Sequence, residues 1–427
     1  QQLYNLVDTL IVGRFLGMEA LAGVGATGSI NFLVLGFCMG VCSGFAIPVA
    51  QQFGAREESR MREFVANGTW LSIVFALVMT VLTVVYCGDI LRVMNTPTDC
   101  FEQAYDYIVV IFAGIPFTFL YNLLSGWLRS LGDSKTPLFF LVLSSVLNVI
   151  LDLAFILIFK LGMGVRGAAL ATIVSQGVSC LWVVLFLFSK KSVLKLRVQN
   201  FLQSPRLILP CVGLGTATFI MQASESVLSV CFNSSLARYG GDIAVGAMTI
   251  LTSVMQFALL PLQGISQGAQ PILSYNYGAK NVERVRKTFR VLLTVCLTYS
   301  ALIWAFVMLC PRVFAGIFTP DAELIEFTGR ALRIYCAVLA IFGIQQACQI
   351  TFVSIGKAVC SIIVAVMRKF VLLIPLIYLM PHLVPDPTLG VYLAEPVADT
   401  LAVTFTSILF SHQFRKALRT LESERSA

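Results

Sequence analysis

The sequence predicts an all-α polytopic membrane protein, with twelve transmembrane helices built as two parallel-repeat six-helix bundles. Low charge, apolar runs of membrane-spanning length and a self-similarity at one fixed offset carry that reading. Of 427 residues 58% are hydrophobic and 12% charged, with a mean hydropathy of +0.86, and a water-soluble globule carries about twice that charge. The apolar runs are near twenty residues long, the length a helix needs to cross about 30 Å of hydrocarbon.

In chain order the predicted spans fall at 3–16, 29–49, 69–86, 107–128, 138–159 and 168–188, then at 207–230, 247–273, 291–309, 331–355, 359–380 and 389–410. The first run is short for a span and the chain opens on Gln1, so helix 1 is expected to be truncated in this chain. Gly36, Gly40 and Gly44 put a small-residue stripe on span 2, which lets helix backbones approach closely. Pro116 in span 4 and Pro261 and Pro271 in span 8 remove backbone donors and are candidate kinks.

Loop charge gives an orientation. Connections 2-3, 4-5, 6-7, 8-9 and 10-11 and the carboxy-terminal tail hold 20 of the 30 Lys and Arg residues, the opposite loops hold 8, and Arg368 and Lys369 fall inside span 11. Cytoplasmic loops keep positive charge, so both termini are expected in the cytoplasm, in a multi-pass protein of the plasma membrane. The net charge of +8 is therefore topological, and with no basic face it points away from nucleic acid.

Self-comparison at an offset of 224 residues aligns three separate places. QFGAREESRMR at 52–62 lies over NYGAKNVERVR at 276–286, RFLGMEA at 14–20 over RYGGDIA at 238–244, and Gly132 over Gly356. Six spans per copy return each half to the same side, so the repeat is parallel, related by an axis along the membrane normal. The expected division is a first bundle at 1–195, a linker at 196–206 and a second bundle at 207–427.

Several residue sets together then resemble one family. YNLVDTLIVGR at 4–14, LRSLGDSKTP at 128–137, LNVILD at 147–152, GAALAT at 167–172 and PLQGISQGAQPILSYNYGAK at 261–280 are similar to the multidrug and toxic compound extrusion (MATE) transporters over the whole chain. The resemblance implies a V-shaped pair of six-helix bundles that exports drugs, often cationic, in exchange for protons or sodium ions.

Ionisable residues inside spans are the candidate functional residues, because each costs at least about 2.5–3.5 kcal/mol to insert. Asp8 on span 1 and Asp152 on span 5, with Asn148 one turn before Asp152, sit at similar expected depth, as does Thr172 on span 6. Two carboxylates and an amide in a low-dielectric cleft can hold a sodium ion through oxygen ligands or a single proton. In the MATE branch with an amino-terminal cation site the matching residues do this work, which the resemblance carries onto Asp8, Asn148 and Asp152, with Thr172 beside them. NorM-like members carry an acid on helix 10, where this chain reads GIQQACQ at 343–349, so the resemblance is to the DinF-like branch.

In the second half Glu225 lies on span 7, and Glu395 and Asp399 lie one turn apart on span 12. Arg368 on span 11 is about as deep as Asp399, which makes those two a candidate structural ion pair. Glu225 is a candidate for binding cationic substrate.

Other classes fit less well. Ser266 sits in a G-x-S-x-G match at 264–268 but within an apolar helical run, without the strand that a nucleophile elbow needs. No phosphate-binding G-x-x-x-x-G-K-[ST] loop occurs, so no cofactor is expected beyond the coupling ion. The twelve cysteines lie mostly in apolar runs without a CxxC pair, and the two histidines are in different loops. The closest rival is a lipid-linked oligosaccharide flippase, which needs a cavity lined by several cations, whereas the acid- and amide-rich spans here suit a cationic, amphipathic small molecule. The expected partners are that substrate and the lipid bilayer, and the expected state is a monomer.

Overall fold

The computed structural model describes residues 11–12, 15–16, 20, 23–25, 27–93, 98–158, 164–188, 205–318 and 320–426. Every regular element among them is helical. In the first half these are α1 (Gly28–Gly54), α2 (Glu58–Val85), α3 (Cys87–Val93), α4 (Phe101–Ala113), α5 (Ile115–Ser130), α6 (Lys135–Leu153) and α7 (Gly164–Phe188). The second half continues with α8 (Pro205–Gly278), α9 (Val282–Leu309), α10 (Pro311–Phe318), α11 (Ala322–Tyr335), α12 (Phe342–Ser354), α13 (Ala358–Val366), α14 (Ile374–Leu383) and α15 (Pro387–Ser426). Two π-helical stretches, Ala154–Ile158 after α6 and Met367–Leu373 between α13 and α14, extend spans 5 and 11. The apolar sequence thus folds as the all-α polytopic membrane protein that its hydropathy demands.

The duplication is written in the backbone. α2 and α9 share both boundaries at an offset of 224, and α5 and α12 end 224 residues apart. Among the described residues the two non-glycine residues with positive φ, Arg56 (60°) and Lys280 (52°), differ by 224, as do the left-handed glycines Gly132 (90°) and Gly356 (78°). Left-handed backbone is sterically costly for residues with a Cβ, so its recurrence at matching turns marks one ancestral unit used twice.

Span 4 bends by 46° between Thr98–Ala113 and Ile115–Ser130, and span 10 by 47° between Ala322–Tyr335 and Leu339–Ser354. Pro116, at the start of α5, accounts for the first bend, because it cannot donate to the preceding turn. The second occurs without proline, and 3-10 geometry at Leu339–Ile341 accommodates it. Spans 7 and 8 run through α8 with a break at Gly241, whose φ of 62° and ψ of −157° are open to glycine alone. Beyond span 12, α15 continues to Ser426, since the Ala, Leu, Arg, Lys and Glu residues after Phe410 are strong helix formers.

The chain forms two compact units, one of residues 1–53 and 57–219, the other of residues 54–56 and 220–427. In the first, Trp127, Tyr107, Phe45, Phe112 and Phe119 are the largest fully buried side chains among the described residues, and Gly36, Gly40 and Gly44 are buried along α1. In the second, Phe232 and Tyr392 anchor one cluster, and in another Phe289, Phe410 and Phe414 stack with Phe352 edge-on to Phe410. Outward faces are apolar instead of charged. On α2, Trp70, Val74, Leu77, Val78, Val81 and Val85 are exposed, a stripe that only lipid could cover without cost.

Candidate functional site

In the first unit the polar residues of α6 lie on one inward face. Ser144, Asn148 and Asp152, spaced at four-residue intervals, are buried to 0%, 1% and 0% exposure, while Leu138, Phe139, Val142, Val146 and Ile150 point outward. This is the reverse of a water-soluble helix, and it follows from the solvent: in hydrocarbon the apolar side chains face out and polar groups seek one another.

The partner helix is α7. Its Ala168, Ala169 and Ala171 are fully buried, so the side chains at this contact are small. Ser144 Oγ donates to Ser175 O at 2.8 Å, and one turn further along α6, Asn148 Nδ2 donates to Thr172 Oγ1 at 3.1 Å. The Asn148 Oδ1 atom is buried without a hydrogen-bond partner, an acceptor available to a cation or a proton donor. Asp152 sits one turn beyond Asn148 on the same face, immediately before the π-helical Ala154–Ile158. The structure therefore brings Asn148 and Thr172 into direct contact and puts Asp152 on their line. Asp8 lies outside the described residues, and no group of three or more His, Cys, Asp or Glu suited to a metal is present among those described.

The second unit holds a denser charge cluster. Arg368 donates from Nε to Asp399 Oδ1 at 2.6 Å and from Nη2 to Glu395 Oε1 at 2.8 Å, and its guanidinium lies 4.9 Å from the centroid of the Phe342 ring. Lys369 Nζ donates to Glu225 Oε1 at 2.6 Å. Side-chain exposure is 11% for Arg368, 9% for Glu395, 8% for Asp399 and 8% for Lys369, but 52% for Glu225. Adjacent helical residues point in different directions around the axis, so Arg368 reaches α15 while Lys369 reaches α8.

Sequence reading placed Arg368 opposite Asp399 but gave Lys369 no partner and left Glu395 outside the pair. Both omissions share a cause, since hydropathy fixes the depth of a residue and not the rotation of its helix. The repeat offered one usable signal. Ser144 and Ser175, like Arg368 and Asp399, are 31 residues apart, and the two pairs are related by the 224-residue offset. A neutral hydrogen bond in one half is thus an ion pair in the other.

Remaining polar groups are structural. Gln345 on α12 accepts from Thr406 Oγ1 at 2.7 Å, and Gln349 Nε2 reaches Ser361 O at 3.4 Å, which ties the acid-free helix-10 region to its neighbours. Ser266 is fully buried in α8 and donates to Leu262 O at 2.9 Å, the back-bond of a helical serine, so the G-x-S-x-G match is no nucleophile elbow.

Two duplicated helical units with ionisable groups buried in their spans are the architecture of a polytopic membrane transporter. The MatE family model matches residues 1–154 and 217–379, and the chain belongs to that family of MATE transporters. It is similar to the probable multidrug resistance protein YoeA of Bacillus subtilis (strain 168), with 25% identity over 423 residues covering 97% of this chain and 90% of the relative. The probable multidrug resistance protein YpnP of the same strain is 30% identical over 287 residues, covering 66% of this chain and 62% of the relative. The multidrug export protein MepA of Staphylococcus haemolyticus (strain JCSC1435) is 22% identical, over 80% of this chain and 75% of the relative. Among solved structures, a MATE crystal structure in the bent conformation superimposes with a TM-score of 0.92 at 24% identity, covering 100% of this chain and 93% of that one. A MOP superfamily transporter from Pyrococcus furiosus Vc1 (DSM3638), described by the reverse polarity of its binding pocket, gives 0.89 at 25% identity, covering 99% and 93%.

Proposed function

We propose that this transporter exports cationic, amphipathic drugs or toxic compounds across the plasma membrane, as a monomer with both termini in the cytoplasm, by antiport against protons or sodium ions. The observation that carries the proposal is the buried Asn148–Thr172 pair with Asp152 one turn further along α6, polar side chains held inside two apolar spans of a MATE family member. The names of the relatives YoeA, YpnP and MepA support drug export.

In this mechanism a cation enters from outside and binds Asp152 and Asn148, with Asp8 of span 1 as the third ligand and Thr172 holding the Asn148 amide in place. Binding shifts the amino-terminal bundle, 1–195, relative to the carboxy-terminal bundle, 207–427, across the linker at 196–206. Coupling requires that drug and cation each bind the two states differently, with drug affinity falling in the cation-loaded state. A DinF-like placement of the cation site follows, supported by the neutral Gln345 and Gln349 where NorM-like members carry an acid. The lipid-linked oligosaccharide flippase reading is weaker because both buried cations of the second unit, Arg368 and Lys369, are already engaged by carboxylates.

The test is uptake of a fluorescent organic cation into proteoliposomes under an imposed proton gradient and, separately, a sodium gradient. Flux driven by either ion is expected in the wild type and absent in Asp152→Asn. Gradient-driven flux at the wild-type rate in that variant contradicts the site, and movement of lipid-linked sugars without cation flux would favour the flippase.

A further inference from the structure

The charges of the second unit's cluster do not balance once the half-exposed Glu225 is counted with its four buried neighbours. Glu225, Glu395 and Asp399 contribute three negative charges when ionised, and Arg368 and Lys369 contribute two positive ones. Arg333, near the start of span 10, is the one other charged residue inside the predicted spans of this half; it is exposed and donates to Met308 O at 3.2 Å, apart from the cluster. The pairing leaves a specific atom unserved: Glu395 donates nothing and accepts Arg368 at Oε1, while its Oε2 is buried with no hydrogen-bond partner, on a side chain only 9% exposed.

An ionised carboxylate is an acceptor only, and leaving one of its oxygens dry is costly. Adding a proton at that oxygen removes the excess charge and turns an orphan ionic acceptor into a neutral hydroxyl. The groups facing Glu395 do not offer another solution. Asp399 comes from α15 itself, Arg368 and Lys369 from the π-helical stretch, Glu225 from α8, and Tyr335 and Cys336 from the end of α11. Both basic groups are already bound to carboxylates, and the others are acids or neutral weak acids.

We propose that this cluster is a proton-holding site in the carboxy-terminal half, with Glu395 carrying the proton on Oε2 in the conformation described here. Glu225 is its exposed member and its link to substrate. A monovalent organic cation that settles on Glu225 competes with Lys369 for the carboxylate and adds positive charge to the cluster. Glu395 then releases its proton: the O–H bond at Oε2 breaks, the electron pair stays on the carboxylate, and the proton passes to water. The use made of this proton rests on the antiport reading, but its presence does not.

The experiment uses the full chain purified in detergent, with infrared difference spectra recorded between acidic and alkaline buffer and read in the region of protonated carboxyl groups. The wild type is expected to show a buried protonated carboxyl signal that Glu395→Gln removes and that Asp152→Asn leaves in place. Glu225→Gln cancels the excess charge without touching Glu395, so it is expected to lower the same signal at neutral pH, and it keeps the test alive if Glu395→Gln does not fold. Adding ethidium to weakly buffered wild-type protein is expected to release one proton per bound cation, and none from Glu395→Gln. A carboxyl signal unchanged in both Glu395→Gln and Glu225→Gln overturns the proposal, as does ethidium binding with undiminished proton release in Glu395→Gln. Loss of gradient-driven flux in liposomes would not alter these spectra, so failure of the antiport reading and failure of this site are distinguishable.

Discussion

Replacing Arg368 by Met should destabilise the second unit strongly, and the geometry sets the scale. Arg368 bridges Glu395 and Asp399 through hydrogen bonds of 2.8 Å and 2.6 Å, with its side chain 11% exposed. Removing one partner of a buried ionic pair leaves the other charge uncompensated, which costs about 3–5 kcal/mol. The lost contact with the Phe342 ring, 4.9 Å away, adds about 0.5–2 kcal/mol. At about 2–4 °C per kcal/mol for a unit of this size, the first cost alone corresponds to a fall in melting temperature of roughly 6–20 °C. The assay is thermal unfolding of the purified chain in detergent, followed by intrinsic fluorescence, with gel filtration to check that the starting material is folded. The triple variant Arg368→Met, Glu395→Gln, Asp399→Asn removes the charges together and is expected to recover most of the loss, because a neutralised cluster has no stranded ion. An Arg368→Met protein as stable as the wild type would refute the reasoning, and so would a triple variant no more stable than the single one.

Other outcomes follow from the packing of α6, α7, α9 and α12. Thr172→Val removes the hydroxyl that accepts from Asn148 Nδ2 at 3.1 Å and should cost about 1 kcal/mol in the same melting assay, with weakened cation dependence of transport and no loss of expression. Gly343→Ala would put a Cβ 2.5 Å from the Cys296 carbonyl oxygen, forcing α12 away from α9 at a cost of about 1–3 kcal/mol, measurable as a lower melting temperature.

How much of this was legible beforehand depended on the physics involved. The spans are visible because hydrocarbon thickness imposes their length, and the duplication because turns such as Arg56 and Lys280 keep the same unusual backbone. The bend in span 4 could be read from Pro116. Its counterpart in span 10, at the matching place but without proline, could not, because no residue there marks the 3-10 turn at Leu339–Ile341. Asn148 and Asp152 stand out by their four-residue spacing in an apolar run, and the contact of Thr172 with Asn148 follows the equal depth expected of them. Lys369 and Glu225 are 144 residues apart, and their pairing depends on which way span 11 is turned. No local pattern encodes that rotation. The extension of α15 to Ser426 was missed for a different reason, since hydropathy marks where a span leaves the membrane and says nothing about where the helix ends.

The most direct test of the account is dye uptake into proteoliposomes by the wild type and Asp152→Asn, each under a proton gradient and under a sodium gradient. Uptake that follows one gradient in the wild type and collapses to the gradient-free level in a folded Asp152→Asn protein is the predicted result. Equal gradient-driven uptake by both proteins would contradict a coupling site at Asp152, Asn148 and Thr172.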